Sequence, residues 1–198
     1  MLRLGITGSI ATGKSTILAA FERLGVPVFS ADAAVAELYA GEAVAPVEAL
    51  FPGVTVNGAV DRARLSQALA ADPAGFKRLE AVVHPLVRAS IARFLDEAKR
   101  EGADIAVVEV PLLFESGFDY GFDAIGVTYV DPAVQRERAL RRPGMSVGKL
   151  ETILARQMPQ DEKKRRADHV FDTGGTIAES AEKVEALVSA LRQRREKE

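Results

Sequence analysis

Residues 2–7 form an apolar run with no helical period that gives way to a glycine-rich turn, so they read as a short strand buried in a sheet. Over residues 13–24 the apolar positions Ile17, Leu18, Phe21 and Leu24 return every three or four residues, which is one face of a helix, and Gly25 marks its stop. A second apolar run, 26–30, ends just before Asp32. Two further runs, 105–110 and 124–130, carry the β-branched residues of buried strands, and 169–173 is a shorter fifth. The pattern over 177–194 predicts a closing helix with Ile177, Ala181, Val184, Val188 and Leu191 as its inner stripe.

Strands alternating with helices predict an α/β fold of three layers: a five-stranded, mainly parallel sheet with helices on both faces. Between the second and third strands lie roughly seventy residues, far more than a simple crossover needs. They read as mostly helical, with a turn at Asn57-Gly58 and Asp61 as N-cap of a helix over 62–70. A second insertion, 132–167, is rich in arginine and lysine and broken by Pro143-Gly144 and Pro159, which predicts a mobile helical hairpin. The expected organisation is a core of 1–33, 101–131 and 168–198, a helical subdomain of 34–100 and a lid of 132–167. The charged run 192–198 reads as a solvated helix end.

Composition narrows the chemistry. The 198 residues are 47% hydrophobic and 27% charged, ordinary for a chain that buries a core. A formal net charge of −2 argues against a global basic surface for nucleic acid. There is no cysteine, which removes disulfides, thiolate metal sites and cysteine nucleophiles. Neither a run of about 18 apolar residues nor a leader pattern is present, so no membrane span is expected and the expected location is cytoplasmic. Either a monomer or a small homo-oligomer fits this composition.

The first turn carries the main chemical signal. Gly8-Ser9-Ile10-Ala11-Thr12-Gly13-Lys14-Ser15 matches the phosphate-loop pattern G-x-x-x-x-G-K-[ST] between a predicted strand and a predicted helix. Glycines let the backbone approach phosphate oxygens, and successive N–H groups form an anion nest at the positive end of the helix. The expected nucleotide site is Gly8, Ala11, Thr12, Gly13, Lys14, Ser15 and Thr16, with Lys14 bridging the β- and γ-phosphates of ATP and the Ser15 hydroxyl a ligand for Mg²⁺. Asn57 is the only asparagine, so the guanine-reading Asn-Lys-x-Asp segment of GTPases is excluded. A short core with a helical insertion and an arginine-rich second insertion suggests a small-molecule kinase that closes a lid over the transferring phosphoryl group.

The chain resembles the dephospho-coenzyme A kinase family over nearly its whole length. Leu4-Gly5-Ile6-Thr7-Gly8 leading into Gly13-Lys14-Ser15-Thr16 is similar to that family's opening, and Ser30-Ala31-Asp32 stands where the family carries Asp-Ala-Asp. Gly58-Ala59-Val60-Asp61-Arg62, Leu79-Glu80 and His84-Pro85 resemble its substrate subdomain. Val110-Pro111-Leu112-Leu113-Phe114-Glu115 is the most distinctive match, and Gln157, Lys163, Ala167-Asp168 and Gly174 resemble the lid exit and final loop. Two departures stand out: the family usually has glycine at the positions of Ser9 and Ala11, and Ser30 replaces the first aspartate.

The resemblance implies ATP-dependent phosphorylation of the ribose 3′-hydroxyl of dephospho-coenzyme A, the last step of coenzyme A synthesis, with that acceptor entering between core and insertion. It makes Asp32 the catalytic aspartate, although a helix N-cap for 33–39 also explains an aspartate there. Arg138 and Arg142, one helical turn apart, become lid arginines facing phosphates or adenine; a solvated basic face is the other reading. His84, Pro85, Leu112, Leu113 and Glu115 become acceptor contacts, while the two leucines and Phe114 also suit a core and His84-Pro85 reads as lying between helices. Glu109, at a strand end, suits either a metal-bound water or a plain exposed terminus. Two rival functions remain: a kinase for another small acceptor such as a nucleoside monophosphate, and a non-catalytic nucleotide-binding module.

Overall fold

The computed structural model describes residues 1–72 and 74–195, and for 194 and 195 the backbone alone. Its chain divides into two compact units, Met1–Phe29 with Glu97–Glu198, and Ser30–Asp96.

The first unit is built on a five-stranded sheet in the order β2-β5-β1-β6-β7. Its strands are β1 (Leu2–Gly8), β2 (Val28–Ser30), β5 (Ile105–Glu109), β6 (Ala124–Tyr129) and β7 (His169–Asp172). β1 runs parallel to β5 and to β6, and β6 parallel to β7. The central strand is therefore β1, and its registers, Ile6 with Glu109 and Gly8 with Thr128, bring the carboxyl ends of β5 and β6 to either side of the phosphate loop. Open α/β sheets hold ligands at that edge.

Helices α1 (Lys14–Arg23) and α9 (Ile177–Arg195) cover one face. Ile17, Ala20 and Phe21 of α1 meet Val184, Val188 and Leu191 of α9 over Leu4, Ile6, Ile105, Val107 and Phe171 of the sheet. The Phe21 and Phe171 rings meet edge to face, centroids 6.2 Å apart. This layer follows the predicted stripes, with one correction: Ile177 is 66% exposed. As the first residue of α9 it lies outside the buried face, which Ser180 and Val184 begin. Of the expected solvated end at 192–198, residues 196–198 lie outside the described part.

The segment from β5 to β6 contains no helix. Phe118, Tyr120 and Phe122 run along it as an aromatic ladder, and Phe122 lies over Gly5 of β1, where an added Cβ meets its ring at 2.4 Å. The 132–167 region forms three short helices, α6 (Pro132–Leu140), α7 (Val147–Leu154) and α8 (Gln160–Arg165), rather than a hairpin. The breaks fall at the proline and glycine positions, because a proline has no N–H to continue a helix.

The second unit contains α2 (Ala31–Leu38), α3 (Val44–Leu50), α4 (Arg62–Ala71) and most of α5 (Gly75–Arg100). It also holds a feature the mostly helical reading omits, a hairpin of β3 (Thr55–Val56) and β4 (Ala59–Val60) turning at Asn57-Gly58. Asp61 caps α4 as expected, its Oδ1 accepting from the N–H groups of Ala63 and Arg64 at 2.9 Å. His84 and Pro85 do not lie between helices; both sit inside the 26-residue α5. Pro85 has no N–H for the carbonyl of Ala81, but the stripe Val83, Val87, Ile91 and Ala98 is buried along one side and carries the helix through.

Candidate active site

The phosphate loop leaves β1 at Gly8 and enters α1 at Lys14. Sterics require glycine at both fixed positions. A Cβ on Gly8 lies 2.1 Å from Thr128 Oγ1, and Gly13, at φ +85°, would set one 2.9 Å from Thr173 Oγ1. Gly13 is the N-cap of α1 and offers no side chain to its first turn, which leaves that positive terminus open to an anion. Lys14 folds across the loop, Nζ donating to Gly8 O at 2.9 Å and Ser9 O at 3.4 Å. Ser15 and Thr16 follow in the first turn, with Ser15 exposed.

A threonine brace fixes this backbone from below. Thr12 Oγ1 donates to Ser9 O at 2.8 Å and lies 2.7 Å from Thr128 Oγ1 at the end of β6. Thr173, just past β7, donates through Oγ1 to Thr12 O at 2.9 Å. Neither Thr128 nor Thr173 carries a local sequence signal. Arg138 joins the brace: Nη2 donates to Thr173 O at 2.9 Å and Nη1 to Thr173 Oγ1 at 3.3 Å. This chain of contacts carries a predicted lid arginine to the phosphate loop. Arg142 is different. Helix α6 ends at Leu140 with Arg141 as C-cap, so Arg142 lies in the following turn, exposed, rather than on the helical face of Arg138.

The tip of the loop is held from the other side. Ile10 N donates to Gln157 Oε1 at 3.0 Å and Ile10 O accepts from Gln135 Nε2 at 2.8 Å. Ala11 is 6% exposed and packs with Ala139 and Leu150, against Ile10, Leu140, Met145 and Leu154. Its φ is +61°, a conformation that costs an L-residue about 1–2 kcal/mol. That explains why glycine suits the position, and the buried methyl shows what this chain gains instead.

After β5 the chain forms the turns that carry Leu112, Leu113 and Glu115. Val110 N donates to Ile6 O at 2.9 Å, and Thr7 Oγ1 donates to Pro111 O at 3.2 Å, which ties these turns to β1 beside the phosphate loop. Leu112 is 43% exposed, whereas Leu113 is buried. Glu115 Oε1 accepts from Met158 N at 2.7 Å and lies 2.8 Å from the ammonium of Lys163, a residue with no exposed surface. Glu109 is also buried, at the end of β5.

The remaining predicted residues belong to the second unit. Asp32 is exposed in the first turn of α2. It is not the N-cap: Ser30 is, its Oγ accepting from Ala33 N at 3.5 Å, so the residue that replaces the first aspartate supplies the cap. His84 and Pro85 are exposed on α5, His84 on the flank of the buried stripe and Pro85 on the far side.

The donors present suit a magnesium ion. Mg²⁺ beside a nucleotide takes one or two hard oxygen ligands from protein and the rest from phosphates and water, and Ser15 offers an exposed hydroxyl next to Lys14. Among the described residues no cluster of three or more acidic or histidine side chains forms a dedicated metal cage.

A profile described as dephospho-CoA kinase matches residues 2–179. A dephospho-CoA kinase of Rhodopseudomonas palustris (strain ATCC BAA-98 / CGA009) is 54% identical over 177 residues, 89% of each chain. A crystal structure from Thermus thermophilus superposes with a TM-score of 0.81 at 33% identity, covering 96% of both chains. The dephospho-CoA kinase of Campylobacter jejuni shares the fold, with a TM-score of 0.67 at 23% identity over 96% of both. With the phosphate loop, its brace and the turns after β5 in place, the chain belongs to the dephospho-CoA kinase family.

Proposed function

We propose that this chain transfers the γ-phosphoryl group of ATP to the ribose 3′-hydroxyl of dephospho-coenzyme A, giving coenzyme A and ADP. The observation that carries the reading is the phosphate loop at the carboxyl edge of the sheet, with Arg138 anchored to it through Thr173. Residues 8–16 hold the triphosphate, with the N–H groups of Ala11, Gly13, Lys14 and Ser15 directed at its oxygens and the Lys14 ammonium at the β- and γ-phosphates. Ser15 holds Mg²⁺, which when bound neutralises charge on the triphosphate.

Asp32 takes the proton of the 3′-hydroxyl as that oxygen bonds to the γ-phosphorus and the bond to the β-phosphate oxygen breaks. Ser30 serves as cap in its stead, which leaves the Asp32 carboxylate available. Arg138 and Arg142 stabilise the charge of the transferring group. His84, Pro85 and Leu112 contact the acceptor, while the buried Leu113 and the inward-facing Glu115 anchor the turns that present Leu112. In this reading 1–33, 101–131 and 168–198 form the nucleotide core, 34–100 the acceptor subdomain and 132–167 the lid. The enzyme works in the cytoplasm as a monomer or small homo-oligomer, without nucleic acid or membrane. Among the described residues no helix is long and apolar enough to cross a membrane.

The test is ADP release from ATP and Mg²⁺ with dephospho-coenzyme A, beside adenosine, AMP and no acceptor. Turnover is expected with dephospho-coenzyme A alone. Asp32→Asn should lower kcat by roughly 10²- to 10⁴-fold, the range of a lost general base, with nucleotide binding intact. Equal turnover with AMP, or an Asp32→Asn variant as fast as the parent, overturns the assignment.

A further inference from the structure

Seven consecutive residues, 157–163, touch the phosphate loop and the turns after β5 at once. Gln157 accepts from Ile10 N at the tip of the phosphate loop. The next residue, Met158, donates its N–H to Glu115 Oε1 at 2.7 Å. Pro159 then opens α8, and Lys163, one turn into that helix, sets its ammonium 2.8 Å from the same Glu115 oxygen. Between them Gln160 donates to Gln135 Oε1 at 2.8 Å and accepts from Val130 N at 3.2 Å, so the segment is also fastened to α6 and to the end of β6.

The pair at its centre is an expensive way to hold two elements together. Lys163 is wholly buried and the Glu115 side chain is 16% exposed. Desolvating both charges offsets most of their attraction, and two apolar side chains of similar volume hold such a contact at least as well. Nor is the hydrogen-bonding capacity used up. Among the described residues Glu115 Oε2 is buried without a hydrogen-bond partner, and Lys163 Nζ meets Glu115 as an ion pair, off the angle of a hydrogen bond. What the charges supply beyond glue is direction: Oε1 is pinned from two sides, by a backbone N–H and by an ammonium, which sets the orientation of Glu115 and of the turns that carry the exposed Leu112.

We infer that Lys163 is a positioning residue for the acceptor: through Glu115 it holds the 111–116 turns in their acceptor-binding arrangement, and the 157–163 segment keeps those turns in register with the phosphate loop. This rests on the reading above that these turns face dephospho-coenzyme A. Because Lys163 acts through Glu115, its removal shows as weakened use of the acceptor, not of ATP.

The experiment varies ATP and dephospho-coenzyme A separately in steady-state kinetics of the wild type, Lys163→Met, Glu115→Gln and the double variant Lys163→Met/Glu115→Leu, with thermal melting of each. A contact with a charged group amounts to roughly ten- to a hundredfold in an equilibrium constant. Each single variant should raise the acceptor KM by that factor while the ATP KM moves by no more than about twofold. The double variant leaves neither charge buried at this contact, so it should fold, melting somewhat below the wild type because Met158 N also loses its acceptor. It should nevertheless keep the raised acceptor KM, with a loss no larger than that of Glu115→Gln. If Lys163→Met fails to fold, the double variant carries the test alone. A folded double variant with the wild-type acceptor KM, or variants in which both KM values rise together, would overturn the positioning role. Wild-type protein that does not turn over dephospho-coenzyme A overturns the proposed function and this inference with it, a result told apart by the parent enzyme alone.

Discussion

Helix α1 is flanked at both ends by a glycine with positive φ, and the two positions separate the cost of a backbone conformation from the cost of a neighbour. Gly13 has φ +85°, and a methyl there meets Thr173 Oγ1 at 2.9 Å and its Cβ and Cγ2 at 3.0 Å. Gly25 has φ +71°, and nothing lies within 4 Å of the same methyl. A left-handed L-residue costs about 1–2 kcal/mol, so Gly25→Ala should lose that amount alone. At Gly13 the strain is joined by a collision with a residue that cannot easily retreat. Thr173 is bonded to Thr12 O, Tyr129 O and Arg138. Overfilling a packed site adds about 1–3 kcal/mol. In a protein of this length each kcal/mol moves the melting temperature by roughly 2–4 °C. Gly13→Ala should therefore melt roughly 2–12 °C below Gly25→Ala in scanning calorimetry. Its ATP KM should also rise, because the displaced Thr173 no longer braces the loop, while Gly25→Ala keeps the parent value. Equal melting of the two variants, or a Gly13→Ala enzyme with the parent's ATP KM, would refute the claim that Thr173 shapes this loop.

Arg138→Met removes both hydrogen bonds to Thr173 and should lower kcat/KM for ATP by at least tenfold, with a stability loss of about 1–2 kcal/mol in urea denaturation. Unchanged kinetics would confine the residue to holding Thr173. Acid should expose two ion pairs that close the sheet's amino edge. The Arg192 guanidinium holds the Asp104 carboxyl below its usual 3.8, and Arg3 does the same for Asp123. A carboxyl lowered in the folded state stabilises above the unfolded value of about 3.8 and loses that contribution as pH falls through the folded one. The melting gap between wild type and Asp104→Asn should thus be full at pH 5 and shrink below pH 3.8. A gap that widens on acidification would contradict the pairing.

Much of the molecule is legible in local pattern. The phosphate loop needs residues of fixed type at fixed spacing, because backbone amides must converge on an anion, and eight consecutive letters state that. The Asn57-Gly58 turn and the Asp61 cap are equally local, since each satisfies its own backbone within a few residues. Pattern reading misplaced His84-Pro85 because a proline usually breaks a helix, and only the burial of Val83, Val87 and Ile91 along α5 overrides it. It likewise counted Ile177 into a stripe whose first turn is exposed.

What the sequence by itself determined is the chemistry on offer: a phosphate loop after a strand, an aspartate after the next strand, a basic insertion and the Val-Pro-Leu-Leu-Phe-Glu segment. What only the tertiary structure decided is which distant side chains hold those parts in place. Thr128 and Thr173 meet Thr12 across 116 and 161 residues, and Met158 reaches Glu115 across 43. Such contacts have no local signature, because a threonine hydroxyl or a lysine gains its meaning from the group opposite. That group is set by the register of β1 with β5 and β6, which follows from burying both faces of a parallel sheet.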